Sequence, residues 1–219
     1  MTAIPGSLKK HGLTALVSTA GAWLLWLLCT GAAGAAALNV QLTDARGGPA
    51  RDAVVYAEPI GGRKTATAPK SATIDQVKKE FVPRVSVVQA GSAVSFPNRD
   101  DIRHQVYSFS PAKTFELKLY HGVPSNPVVF DKPGLVVLGC NIHDRMVAYV
   151  LVVDTPYFAK VDGQGRAHFE GLAPGEYEIT AWQPQSGGAS FTGTQRVQLS
   201  DGGPAAVKLE LKPAPVAAK

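Results

Sequence analysis

The chain has 219 residues, of which 45% are hydrophobic and 18% charged, with a formal net charge of +5. That is globular composition with room for one or two cores. Its basic residues, among them Lys78, Lys79, Arg99, Arg103 and Arg145, are scattered among acids; with no run to track a phosphate backbone, nucleic acid is not an expected partner.

Residues 1–37 read as a cleavable secretory signal. Lys9 and Lys10 precede the apolar run 13-LTALVSTAGAWLLWLL-28, and 29-CTGAAGAAA-37 ends in the small residues Ala35-Ala36-Ala37. The apolar run of about 16 residues is shorter than the roughly 20 that a spanning helix requires. A lipid anchor through Cys29 is disfavoured because bulky Leu28 precedes it. The expectation is cleavage near Leu38, a periplasmic location and no stable membrane association afterwards. Cleavage removes Cys29 and Met1, which leaves Cys140 as the only cysteine and Met146 as the only methionine. A single thiol in an oxidising compartment has no internal disulfide partner, so it is expected to be buried, metal-bound or catalytic.

After residue 38 no long segment has helical periodicity. Val40 and Leu42, then Tyr177, Ile179 and Ala181, then Val207, Leu209 and Leu211 alternate with less apolar residues, the pattern of half-buried strands. Gly and Pro recur at short intervals, as at Gly47-Gly48, Pro133-Gly134 and Pro174-Gly175. The fold class is therefore all-β, with antiparallel sheets packed as sandwiches. Residues 61–73 read as a loop and 212–219 as a flexible tail. Between about 74 and 154 the strands are continuous valine-rich runs, 85-VSVV-88, 127-PVVF-130, 135-LVVL-138 and 147-VAYVLVV-153, which read as buried on both faces. The lighter flanks, 38–60 and 155–211, look like two halves of one sandwich that carries 74–154 as an insertion; the alternative is a chain of separate beads with an irregular N-terminal arm.

Cys140, His143 and Met146 lie three apart between two apolar runs, in 136-VVLGCNIHDRMVAYVLVV-153. Thiolate and imidazole are strong copper ligands and a thioether is a weak, soft one. Two histidines and a cysteine with a distant axial methionine form the blue-copper arrangement, so a second histidine is required. Among the candidates, His168 lies within the alternating segment 166-RAHFEG-171 and His121 in a Tyr-His-Gly turn, whereas His104 follows a polar loop and opens a strand. Zinc could use the same nitrogen and sulfur atoms but gains little from a thioether. Cys140 and His143 as a nucleophile and its base would leave Met146 without a role.

The segments 93-AVSFPNRDDIRHQVYSF-109 and 140-CNIHDRM-146 resemble the cupredoxins, in particular the amicyanin-like proteins and the cupredoxin-like proteins associated with methylamine utilisation. The resemblance implies one type 1 copper ion held by His104, Cys140 and His143, with Met146 axial and Asn98 tethering the ligand loop by backbone hydrogen bonds. It departs from many small copper proteins after His143, where Asp144 and Arg145 replace proline. The flanking stretches 40-VQLTDARGGPARDAVVYAEP-59 and 161-VDGQGRAHFEGLAPGEYEITAWQP-184 look like a carboxypeptidase regulatory-like, transthyretin-type sandwich. Together these imply a non-enzymatic electron carrier that meets a dehydrogenase or cytochrome at a transient interface. The alternatives are copper storage or delivery, or an envelope binding module with a vestigial copper site.

Overall fold

Alternating apolar residues and frequent turn residues produce eighteen strands among the described residues, numbered here in chain order. The computed structural model describes residues 1–2, 35–61, 67–185 and 189–214. Most of the expected signal, residues 3–34, lies outside them. Ala36 and Ala37, at the expected cleavage site, are the first residues of β1 (Ala36–Thr43), and Ala36 is buried opposite Leu172.

The strands from both flanks of the chain build one pair of sheets. β1 pairs antiparallel with β14 (Arg166–Leu172) and parallel with β17 (Pro204–Glu210). The facing sheet runs β13 (Phe158–Lys160), β2 (Val54–Pro59), β15 (Gly175–Pro184), β16 (Ser190–Leu199) and β18 (Lys212–Pro213). Leu38, Leu42, Ile179, Leu199 and Leu211 fill the space between them. The turn before β14 is held by Asp162, whose carboxylate accepts from the Gln164 and Arg166 amides. Gly165 is required there: at φ 74° a β-carbon would fall 2.3 Å from the Leu42 carbonyl oxygen. At the other end of the chain, Lys212 and Pro213 pair with Thr192 and Phe191. Lys212 and Pro213, expected in a flexible tail, are therefore held in a sheet, and residues 215–219 of that expectation lie outside the described residues.

Between β2 and β13 the strands pair only with one another. One sheet is β10 (Val128–Phe130), β7 (Ser92–Ser95) and β3 (Ala72–Thr73). The other is β6 (Val85–Gln89), β12 (Val147–Val153), β11 (Gly134–Gly139), β8 (His104–Ser110) and β9 (Lys113–Tyr120). A hairpin of β4 (Asp75–Val77) and β5 (Glu80–Val82) stands beside them. Phe96, Phe130, Leu138, Val150 and Met146 lie in the core between the two sheets.

The valine-rich strands differ in how far they are buried. β12 is covered on both faces: Val150 and Val152 enter the inner core, while Tyr149 joins Val54, Val85 and Trp182 in a third cluster that bridges the inner and flanking sheets. Val129 in β10 and Val137 in β11 are exposed, because their outward faces meet no second layer. A run of β-branched residues satisfies strand propensity whichever of its faces is covered.

Candidate metal centre

Three connections converge at one end of the inner sandwich. His104 opens β8, Cys140 directly follows β11, and His143 sits on the short connection to β12. That connection closes tightly, with the Met146 amide donating to the His143 carbonyl at 2.9 Å. The turn returns Met146 to the inner core, where it is fully buried.

One ring nitrogen from each of His104 and His143 and the Cys140 sulfur lie within 4.8 Å of one another. The two imidazoles meet edge to face, with centroids 5.0 Å apart and planes at 63°. His104 has no exposed surface and Cys140 is 4% exposed, whereas His143 is half-buried. The Nδ1 atoms of both histidines are buried and without a hydrogen-bond partner. A buried polar atom without a partner costs about 1–3 kcal/mol, so two of them, on rings that each bring a nitrogen within 4.8 Å of a thiol sulfur, suit a site for something that accepts lone pairs. The donor set of two imidazoles and one thiol suits a copper or zinc ion. The residues therefore fit a metal ion.

The supporting loops are tied by side chains to the backbone. Asn98 donates through Nδ2 to the carbonyls of Ile102 (2.8 Å) and Tyr120 (2.9 Å), and its Oδ1 accepts from the Asp100 amide (3.0 Å). These bonds shape the loop that delivers His104 and join it to the end of β9. They do not reach the Cys140–Met146 loop that Asn98 was expected to tether, because its side chain is taken up by Ile102, Tyr120 and Asp100. Beneath it, Gln76 is fully buried and donates to the Phe96 carbonyl and the Tyr120 hydroxyl, which itself donates to the same carbonyl. Burial pushes the Tyr120 phenol up to about 12, against the opposing bond from Gln76 and with a small further push from Cys140.

His104 has one charged neighbour of its own. Its Nε2 lies 2.8 Å from Asp100 Oδ2, and that carboxylate also accepts from the amides of Lys78 (2.6 Å) and Lys79 (2.8 Å). Burial alone would raise the Asp100 carboxyl; the bonds from Lys79, His104 and Lys78 outweigh it and hold it below its usual range. Sequence reasoning passed over Asp100, Gln76 and Tyr120. The only signal for Asp100 was its place four residues before His104 in a polar loop.

The remaining expectations separate clearly. His121 is exposed in its turn and stands outside the cluster. His168 is exposed on β14, with its ring nitrogens near Asn39 (2.8 Å) and Glu170 (3.2 Å). Asp144 and Arg145, which replace the expected proline, are both exposed on the ligand loop. Ile102 and Ile142 are exposed on the loops flanking the cluster.

No protein-family model matches the chain, and no curated protein matches it. Among solved structures it is similar to a copper-containing nitrite reductase from Thermus scotoductus SA-01, at 24% identity and a TM-score of 0.36. That match covers 44% of this chain and 25% of the reductase, so the likeness spans about a quarter of the reductase. It is also similar to a purple cupredoxin from Nitrosopumilus maritimus, at 20% identity over 37% of this chain and 99% of that one, with a TM-score of 0.33. A reduced amicyanin variant is 19% identical over 37% of this chain and 80% of its own, with a TM-score of 0.34.

Proposed function

We propose that the chain is a periplasmic type 1 copper protein that carries single electrons between redox partners. His104, Cys140 and His143 would hold the ion, Met146 would be its weak axial ligand, and Asn98 would tether the loop that carries His104. The observation that carries this reading is the meeting of the Cys140 sulfur with one ring nitrogen of each of His104 and His143, two rings whose Nδ1 atoms are buried and unpartnered.

Copper held by thiolate and imidazole supplies one-electron redox chemistry, with a potential tuned by the axial ligand and by the surroundings of the sulfur. The chain's own contribution is to keep these side chains in one place. His104 stands on a strand, Cys140 leaves the end of another, and Asn98 braces the loop between β7 and β8. Such bracing limits rearrangement when charge changes, which suits a carrier better than a site that must release its ion. His143 is the only one of the three with substantial exposure, so its outer edge would be the electron port. A dehydrogenase or cytochrome would meet it through a small, transient interface, with Ile102 and Ile142 supplying apolar contact.

The flanking strands, 38–60 and 155–211, are proposed as a carboxypeptidase regulatory-like scaffold around a cupredoxin domain of 74–154. The separate cores of the two sandwiches support that division. Metal analysis of the mature protein, followed by voltammetry, tests the functional reading. One tightly retained copper that cycles reversibly is expected. A protein that surrenders Cu(I) readily to a chelator would instead be a storage or delivery protein, and one that binds none would be an envelope binding module.

A further inference from the structure

The hairpin β4–β5 turns through Lys78 and Lys79, both in the left-handed region at φ 53° and 62°. Two-residue hairpin turns of this kind favour Asn-Gly, because a side chain at positive φ is strained. Residues held in such conformations are strained and persist where the surroundings impose them. What this turn achieves is to aim two successive amides at one carboxylate, with Lys78 donating to Asp100 Oδ1 and Lys79 to Oδ2.

The hairpin is also latched to the loop that carries Asp100. Gln76 donates its amide to the Pro97 carbonyl, the Arg99 amide donates to the Gln76 carbonyl, and the Arg99 side chain pairs with Asp75 at 2.9 Å. Asp100 is thus fixed from two sides, with its side chain 14% exposed and Oδ2 on His104 Nε2.

We infer that Asp100 is a positioning residue for His104: its carboxylate accepts a hydrogen bond from Nε2–H, which keeps the proton on Nε2 and leaves Nδ1 as the bare nitrogen facing Cys140 and His143. An ionised carboxylate can only accept hydrogen bonds, and a neutral imidazole with Nε2–H has its lone pair on Nδ1. The unpartnered Nδ1 of His104 is the other end of the same arrangement. Carboxylates in this position orient metal-binding histidines and raise their basicity. The negative charge would also favour the more highly charged of two oxidation states of a bound ion. That last consequence rests on the copper reading; the choice of tautomer does not.

Nitrogen-15 NMR of the His104 ring in the metal-free full chain tests the tautomer directly. The native chain is expected to show Nε2–H alone. Asp100→Asn, whose amide can donate to Nε2, should shift the population toward Nδ1–H. Lys78→Asn with Lys79→Gly keeps both backbone amides and relaxes the turn, so it should leave the tautomer unchanged and raise stability. An unchanged tautomer in Asp100→Asn would overturn the inference. Should that variant not fold, a native His104 carrying its proton on Nδ1 would overturn it equally.

With copper added, Asp100→Asn should bind Cu(II) about 10- to 100-fold more weakly and Cu(I) with a smaller loss, which raises the reduction potential. Equal losses for the two ions would contradict the electrostatic part. A native chain that binds no copper yet shows the expected tautomer shift would refute the copper reading and leave the role of Asp100 standing.

Discussion

The ring of Tyr107 lies across Gly139, the residue before Cys140. A β-carbon on that glycine would fall 2.7 Å from Tyr107 Cζ and 2.8 Å from its hydroxyl oxygen. The two residues are also cross-strand partners between β8 and β11. The strand that presents the thiol is therefore set against an aromatic face with no spare room.

Gly139→Ala is expected to destabilise the fold by about 1–3 kcal/mol, the usual cost of an added methyl where packing is tight. Urea denaturation measures it. Tyr107→Leu in the same chain should recover part of the loss, and a neutral Gly139→Ala would show that the ring moves aside freely.

Asn98→Ala removes two donors and one acceptor from the loop before His104. Leaving partly buried backbone groups unsatisfied costs about 1–3 kcal/mol. The loss should be accompanied by faster amide exchange in the loop at Asp100, whose acceptor is gone. Protection equal to that of the native chain would mean that the loop holds its shape without Asn98.

Tyr120 gives the alkaline limit a defined sign. Its folded phenol titrates at about 12 and an unfolded one near 10, so above pH 10 the unfolded chain loses its proton first. The contribution of this group is therefore complete below pH 10 and is lost as pH rises through 12. Urea midpoints across that range should fall less steeply in Tyr120→Phe than in the native chain, from a lower starting stability. Parallel curves would assign the alkaline loss to other groups.

Trp182 packs on Tyr149 with centroids 6.2 Å apart, and Arg84 lies 5.3 Å from the Tyr149 centroid. This cluster joins the flanking and inner sheets. Trp182→Ala should cost about 3–5 kcal/mol and separate thermal unfolding into two transitions, one for each core. A single transition at the native midpoint would argue against the proposed nesting of one sandwich in the other.

Much of the architecture was legible because period-two alternation and turn residues are local signals. Val40, Leu42, Ile179 and Leu209 fall in the core as their spacing implied. The valine-rich strands were less readable, since a β-branched run does not reveal which faces acquire a covering layer; Val137 is exposed and Val150 is not. The cluster of His104, Cys140 and His143 was legible through spacing and the scarcity of sulfur. Asp100 was not, because its partners come from a hairpin more than twenty residues away. No periodicity connects Lys78 to Asp100, and Lys-Lys is not a recognised two-residue turn. Tyr107 against Gly139 was hidden for the same reason: a contact across strands depends on register.

The most direct measurement is the visible spectrum of the purified protein after addition of Cu(II), recorded beside Cys140→Ser. The account predicts an intense blue or green thiolate-to-copper band in the native protein and none in the variant. A folded native protein that takes up Cu(II) without that band, or whose band survives in Cys140→Ser, would contradict it.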